Sequence, residues 1–579
     1  MSGRDGSDER HHPLVDLAKR QLAAGKSDRR DFLRNVTLLG VSAAAAYAMA
    51  GDILGEAVAP PAAAADGDPV MGGVLRVSMG VQEMADPALY SWTEMSNQAR
   101  HIVEYLTYTG PDNVTRPYLA ESWAPSDDLR VWTFKLRQGV KWTNGDDFTA
   151  DDVVYNFKRW LDPATGSSNI GLFAGLTEEY DTGEKNADGS AKMGQRERAG
   201  AVEKVDDHTI RLSFSRPILS VPENLYNYPT AIVHRDFDKN GKDLSKWPVG
   251  TGPYELVEFA VGEKCILKRR PGDYWGKDLD DPIMFGPIYL DEIHYYNHGQ
   301  GSAPQLAALA SGQVDAIYEF DIASYAMAAS LPNTMIYEVQ TAQTGGMRMK
   351  VTEKPFDDQR VRRAIQLCCD APAFNTLIYQ GRGQTGEHHQ VAPVHPEYFA
   401  LPPLQRDVAQ AKKLLAEAGY ANGLEVSIDC GNTNGPWQQQ ACELFQQQLA
   451  EAGIKLNINL MPAEQYWEIW DKTPFGLTTW THRPLGTMVL SLGFRTGVPW
   501  NETSFSSKEF DAALDVAEAL VDVEQRRAAM EKVEQILQDA AATVQPLWQP
   551  KFFVATDKVQ GMTAHPTQYH QYHRVWLKA

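Results

Sequence analysis

Few residues in this chain are grouped as chemistry requires. Gly381-Arg382-Gly383-Gln384-Thr385-Gly386 has the G-x-G-x-x-G spacing whose glycines let backbone N–H groups close on a pyrophosphate. That use needs a strand before the loop and a helix after it. Here Thr376-Leu377-Ile378-Tyr379 leads in and His388-His389 leads out, so no dinucleotide is expected. The two histidines are a weak metal signal, because adjacent imidazoles point apart in extended chain and no nearby Cys or carboxylate completes a set. No cofactor and no resident metal are expected. Cys368 and Cys369 are helical neighbours and cannot readily bridge. Cys430 and Cys442 could meet where a strand end approaches a helix start, but free thiols are expected in a chain that folds in a reducing cytoplasm. There is no Gly-x-Ser-x-Gly, His-Glu-x-x-His or Cys-x-x-Cys. Scattered carboxylates on a large chain discriminate no acid–base enzyme. These residues mark no catalytic centre, and a hydrolase or a chemosensory receptor stays open as an alternative.

The elements that must position any site belong to a chain of 579 residues, a length that fits several lobes. It is 43% hydrophobic and 22% charged, an ordinary globular mix that excludes disorder and fibrous repeats. The net charge is −20, which disfavours nucleic-acid binding, since that affinity comes from Lys and Arg. Five cysteines exclude a disulfide-stapled scaffold. No run of eighteen apolar residues occurs, so no permanent membrane span is expected.

The N-terminus reads as an export leader. Asp28-Arg29-Arg30-Asp31-Phe32-Leu33-Arg34 precedes an apolar stretch from Val36 to Ala50, and Ala63-Ala64-Ala65 offers a small-residue cleavage tract. The paired arginines resemble the twin-arginine signal, whose export machinery carries folded proteins. Residues 1–65 are therefore expected to be removed, and the first cysteine, Cys265, comes too late for a lipid anchor. The expected product is a soluble periplasmic protein.

Beyond the leader, Val74-Leu75-Arg76-Val77-Ser78 alternates as a strand, as does Val131–Arg137. Thr149 with Asp152 forms a capping box ahead of the buried stripe Val153, Val154, Phe157, Trp160. Residues 181–200 read as an exposed polar loop. Asp407 caps a helix that stops at Gly419, and strand 424–429, helix 436–452 and strand 454–460 read as a right-handed βαβ unit. The expected class is mixed α/β with several lobes.

Four tracts then resemble one family. They are Arg116–Trp123 with Trp132–Trp142 and Phe148–Val153; Pro248-Val249-Gly250-Thr251-Gly252-Pro253-Tyr254; Pro355-Phe356-Asp357-Asp358 through Ile365; and Ala411–Tyr420. Their order over about 450 residues is that of the extracellular solute-binding proteins, family 5, the receptors of peptide, opine and nickel ABC importers. The resemblance implies a type II-like periplasmic binding fold, a three-lobed, bilobal clamp with mixed sheets. Lobe I would comprise 66–107, 233–335 and 545–579; lobe II, 108–232; and lobe III, 336–544. It implies a monomer that shuts by hinge motion on a small-molecule solute and passes it to permease subunits with their ATPases.

Two departures bear on the solute. Peptide-binding members carry Trp-x-x-Asp in the third lobe to hold an α-amine, whereas here the tract is Trp480-Thr481-His482-Arg483. Arg483 either offers a planar donor fork to an anionic solute lacking an α-amine or turns outward to a surface carboxylate. Gly345-Gly346-Met347-Arg348-Met349-Lys350 replaces an apolar strand that faces the cleft in relatives, and alternation puts Arg348 and Lys350 on one face, cleft-facing or solvated. Aromatic candidates for the wall are Tyr90 and Trp92, after Asp86-Pro87, with Trp437 and Trp500. Trp123, Trp132 and Trp142 read as core.

Overall fold

The computed structural model describes residues 11–55, 67–185, 191–279, 281, 283–299 and 301–578. Local signals act where the sequence places them. The Thr149–Asp152 capping box closes the start of helix Ala150–Leu161, and the Asp407 carboxylate accepts from the N–H of Gln410 to start helix Val408–Glu417. Strands Leu424–Cys430 and Ile454–Leu460 pair in parallel around helix Trp437–Ala450.

One mixed sheet of twelve strands runs through most of the molecule. From one edge it passes through Tyr254–Ala260, Lys264–Arg269, Glu292–Tyr296, Val74–Ser78 and Ala316–Ile317 to Leu547–Thr556. It continues through Thr334–Met349, Phe475–Trp480, Leu424–Cys430 and Ile454–Leu460. We use lobe I for the first half, packed on Leu75, Val77, Ile293 and Tyr295, and lobe III for the second, packed on Ile365, Ile428 and Phe445. The antiparallel strands Thr334–Met349 and Leu547–Thr556 join the halves, and their register breaks between Gln340 and Gln343. Lobe II is a separate sheet of Ala120–Pro125, Val131–Leu136, Thr209–Ser213 and Val202–Asp206. The polar segment read as a loop is instead largely a hairpin, Thr177–Lys185 with Ala191–Glu197. Its side chains stay mostly exposed, which is why no hydrophobic alternation marked it.

The expected leader is folded onto the body. It forms helices α1 (Leu14–Ala23), α2 (Arg29–Leu38) and α3 (Ala43–Leu54). The apolar stretch Val36–Ala50 is broken between α2 and α3 at Gly40, whose φ of 91° is a left-handed value that suits glycine. The cleavage tract Ala63–Ala65 lies outside the described residues. Among the described residues no helix is long and apolar enough to cross a membrane.

Candidate functional site

A cavity of about 460 Å³ opens between lobes I and III, a volume suited to a small organic molecule. On the lobe I side the chain is pinned by Asp86, which pairs with Arg159 and accepts from the N–H of Ala88 at 3.0 Å. This fixes the start of helix Thr93–Ala99, with Trp92 at its N-cap and Glu94 in its first turn. The Glu94 carboxylate lies against Gly80, where a Cβ would come within 3.3 Å of Oε2, and accepts from the Gln82 amide at 2.6 Å. Burial, and then the charge of Glu319, push its pKa up to about 8.

Glu319 stands at the centre of the wall. Lys551 donates to its Oε2 at 2.6 Å, the Gln568 amide donates to the same oxygen, and the Asn434 amide donates to Oε1 at 3.2 Å. Asn434 belongs to lobe III and is held by its neighbours. Its carbonyl accepts from Trp437 Nε1 at 2.8 Å, and its N–H donates to Gln438 Oε1 at 2.8 Å. Trp437 in turn fills the space over Gly345, where a Cβ would fall 2.2 Å from its ring. That packing gives a physical reason for glycine on this strand. Asp321 completes the polar wall, accepting from Ser302 Oγ at 2.6 Å.

Beside the cavity lies a row of aromatic rings. Trp92 and Trp467 are 6.2 Å apart between centroids and line both the cavity and a smaller adjoining pocket. The row continues through Trp470, Trp500 and Trp480 at centroid spacings of 6.0, 6.4 and 5.9 Å. Trp92 comes from lobe I and the other four from lobe III, so both jaws supply apolar wall.

The sequence candidates divide accordingly. Trp92 and Trp437 line the cavity; Trp480, Arg483 and Trp500 line the smaller pocket. Tyr90 lines neither and sits in the lobe I core, 1% exposed. Arg348 lines neither: its Nε donates to Glu502 at 2.6 Å and its Nη1 to the carbonyl of Thr473 at 2.7 Å, at 1% exposure. Lys350 donates to the carbonyls of Asp471 and Lys472, at 3.1 and 3.3 Å. These two cations therefore fasten the turn before strand Phe475–Trp480, and the expectation that they face a solute is corrected. His482 is buried between lobes, accepting from the N–H of Ala342 at 3.0 Å and meeting Asn113 Oδ1 at 3.2 Å. Burial lowers its pKa well below the usual imidazole range. Arg483 does not turn outward: among the described residues no carboxylate pairs with it, and it lines the smaller pocket. It donates to Tyr228 Oη at 3.0 Å and to Thr481 Oγ1, with its charge over the Tyr228 ring at 4.9 Å.

The residues sequence reasoning missed are Glu94, Glu319, Asp321, Lys551, Asn434 and Trp467. Only Trp467, in Tyr466-Trp467-Glu468-Ile469-Trp470, carried a local signal as an aromatic cluster. His388 and His389 are buried, and carboxylates do lie near them: His389 is 3.4 Å from Glu387 and 3.5 Å from Glu534. Among the described residues no group of three or more Cys, His, Asp or Glu is arranged to hold a metal ion. All five cysteines are buried, and none is in a disulfide.

Comparison with known proteins agrees with this architecture. Residues 115–489 match the family described as bacterial extracellular solute-binding proteins, family 5 (middle). Heme-binding protein A of Haemophilus influenzae is 27% identical over 79% of this chain and 83% of its own. Among solved structures, the periplasmic binding protein DppA from Helicobacter pylori in complex with the peptide STSA superposes with a TM-score of 0.74 at 24% identity. That match covers 88% of this chain and 99% of that one. AgaA from A. tumefaciens R10 in complex with agropinic acid gives 0.75 at 23% identity, covering 88% and 99%. The chain belongs to the bacterial extracellular solute-binding proteins, family 5.

Proposed function

We propose that this family 5 receptor closes lobe I against lobe III on a small solute carrying a positive charge, and that the solute lies in the cavity between Glu94, Glu319 and the tryptophan row. The observation that carries this reading is the charge of the wall. Glu83, Glu319, Asp321 and Glu464 line the cavity, with Glu94 beside them as a carboxyl that an arriving cation would ionise, and among its described lining residues the one cation is Lys551, already paired with Glu319. A closed cleft screens poorly, so an excess of carboxylate there repels an anion and attracts an ammonium or guanidinium. Aromatic faces beside the carboxylates suit a cationic group on an apolar body. A cationic solute is preferred here to the anionic one expected from Arg348 and Arg483, because Glu502 pairs with the first and the second, with Tyr228 against it, lines the adjoining pocket and not this cavity.

The rest of the reading follows the family. The protein is exported to the periplasm on the Arg29–Arg34 motif, works as a monomer without catalysis, and hands its solute to permease subunits driven by ATPases. Our reading puts the hinge at the register break between Gln340 and Gln343, in the strands that join the lobes. Thermal melting against basic, neutral and acidic small molecules, each amine paired with its N-acetyl derivative, tests the solute class. Stabilisation confined to the uncapped amines supports it; ligand at a hundred times its Kd contributes about 2.7 kcal/mol. Stabilisation by acids, or turnover of any probe, contradicts it.

A further inference from the structure

The N-terminal helices are fitted to the body residue by residue, and the fit joins two lobes. On α2, Asp31 and Asn35 lie one helical turn apart and share a side. They meet helix Val523–Ala540 of lobe III: Arg527 donates to Asp31 at 2.7 Å and Arg526 to Asn35 at 3.1 Å. Arg34 and Leu38, again one turn apart, meet lobe II. Arg34 Nε donates to the carbonyl of Asn113 at 3.2 Å and lies 3.9 Å from the buried Glu223, and Trp123 Nε1 donates to the carbonyl of Leu38 at 2.9 Å. Gly40 completes the match, since a Cβ there would fall 2.5 Å from the Trp123 carbonyl oxygen. Tyr47 on α3 donates to Asp112 at 2.6 Å. Between these contacts Phe32, Leu33, Val36 and Leu38 are buried in one cluster with lobe II residues such as Leu129 and lobe III residues such as Met530.

A leader merely awaiting removal needs its own charge and hydrophobicity. It does not need capped helices, paired charges and a glycine shaped to another segment's backbone. We infer that residues 12–54 are a clasp, docked across the seam between lobes II and III and holding those lobes together for as long as the segment remains attached. The geometry also hides part of the export motif: Arg29 and Arg30 are exposed, whereas Phe32, Leu33 and Arg34 are buried. A receptor for that motif must therefore lift the clasp first, which couples reading of the leader to release of the lobes. Neither step depends on which solute the cleft takes.

The test uses the full chain with a protease site in place of residues 58–63. After cutting, the N-terminal fragment should co-elute with the body on gel filtration. Leu33→Asp with Val36→Asp should release it from the cut chain. Release should speed amide hydrogen exchange by at least about tenfold in both strand Ala120–Pro125 of lobe II and helix Val523–Ala540 of lobe III. A fragment that separates from the unsubstituted cut chain overturns the clasp. So does a doubly substituted chain whose fragment stays bound, or whose exchange rises in one of these elements or in neither.

Discussion

The side-chain amide of Asn434 in lobe III donates to Glu319 of lobe I at 3.2 Å and its Oδ1 accepts from Lys551 of lobe I at 3.5 Å, so Asn434 bridges the cleft beside the cavity. It makes Glu319 the point where the wall's charge and the closure of the clamp meet, since the same carboxylate holds Lys551. Asn434→Ala leaves the wall's charge intact and removes both cross-cleft bonds, of which the one to Glu319 is the shorter. Loss of one hydrogen bond to a charged group, about 1.5–3 kcal/mol, should weaken solute binding roughly tenfold or more, chiefly through faster dissociation. Stopped-flow tryptophan fluorescence measures it; an unchanged off-rate means the jaws do not close through this contact.

Glu94 should make binding pH-dependent. Its pKa of about 8 in the free protein leaves it mostly protonated at neutral pH, and a cationic group beside it favours the ionised form. Binding a cation therefore releases a proton, and affinity rises by up to about tenfold per pH unit below pH 8, levelling off above. Calorimetry in buffers of different ionisation enthalpy should show proton release with the parent chain and none with Glu94→Gln, whose affinity should be lower and flat with pH.

Arg348 should matter for stability and not for solute charge. It forms a buried pair with Glu502, which also accepts from Trp480 Nε1 at 2.7 Å. Arg348→Ala strands that carboxylate, a loss of about 3–5 kcal/mol by the usual cost of halving a buried pair. Chemical denaturation should show that loss, while the preference among acidic and basic solutes stays as in the parent chain.

Stability itself should fall as pH rises from 6.5 to 8. Burial pushes Glu223 and Glu94 up to about 8 and Glu534 up to about 9. The folded state thus keeps protons that the unfolded state gives up near 4.5. The stability these groups contribute is complete below that pH and lost as pH climbs towards their folded values. The buried histidines His101, His388, His395, His482, His565, His570 and His573 act in the opposite sense, since burial lowers them all. Their effect ends above 6.5, where unfolded histidine is already neutral, so the carboxyls govern the remaining window. Melting temperature should decline there, and Glu534→Gln should flatten the decline.

The parts of this architecture that local pattern determines were readable from sequence. The Thr149–Asp152 box, the Asp407 cap and the βαβ unit each lie within a few turns of chain, where periodicity and capping chemistry act. The cavity was not, because Glu94, Glu319, Asn434 and Lys551 come from four distant segments that only the sheet order brings together. Trp92 was marked by the loop after Asp86-Pro87, and Trp437 by its place at the start of a helix. Alternation put Arg348 and Lys350 on one face but carried no information about what that face meets, which is the turn at 471–473. That the Val36–Ala50 stretch packs as parts of two helices was not legible for a similar reason: a leader and a packed helical hairpin have the same hydrophobicity, and Gly40 was its one mark of a break.

The solute class is tested most directly by native mass spectrometry of the protein recovered from its native cells, followed by identification of what it carries. The account predicts one equivalent of a small molecule with a basic group, retained by the parent chain and lost or depleted in Glu94→Gln. A bound molecule with only acidic groups, held equally by both proteins, would contradict it.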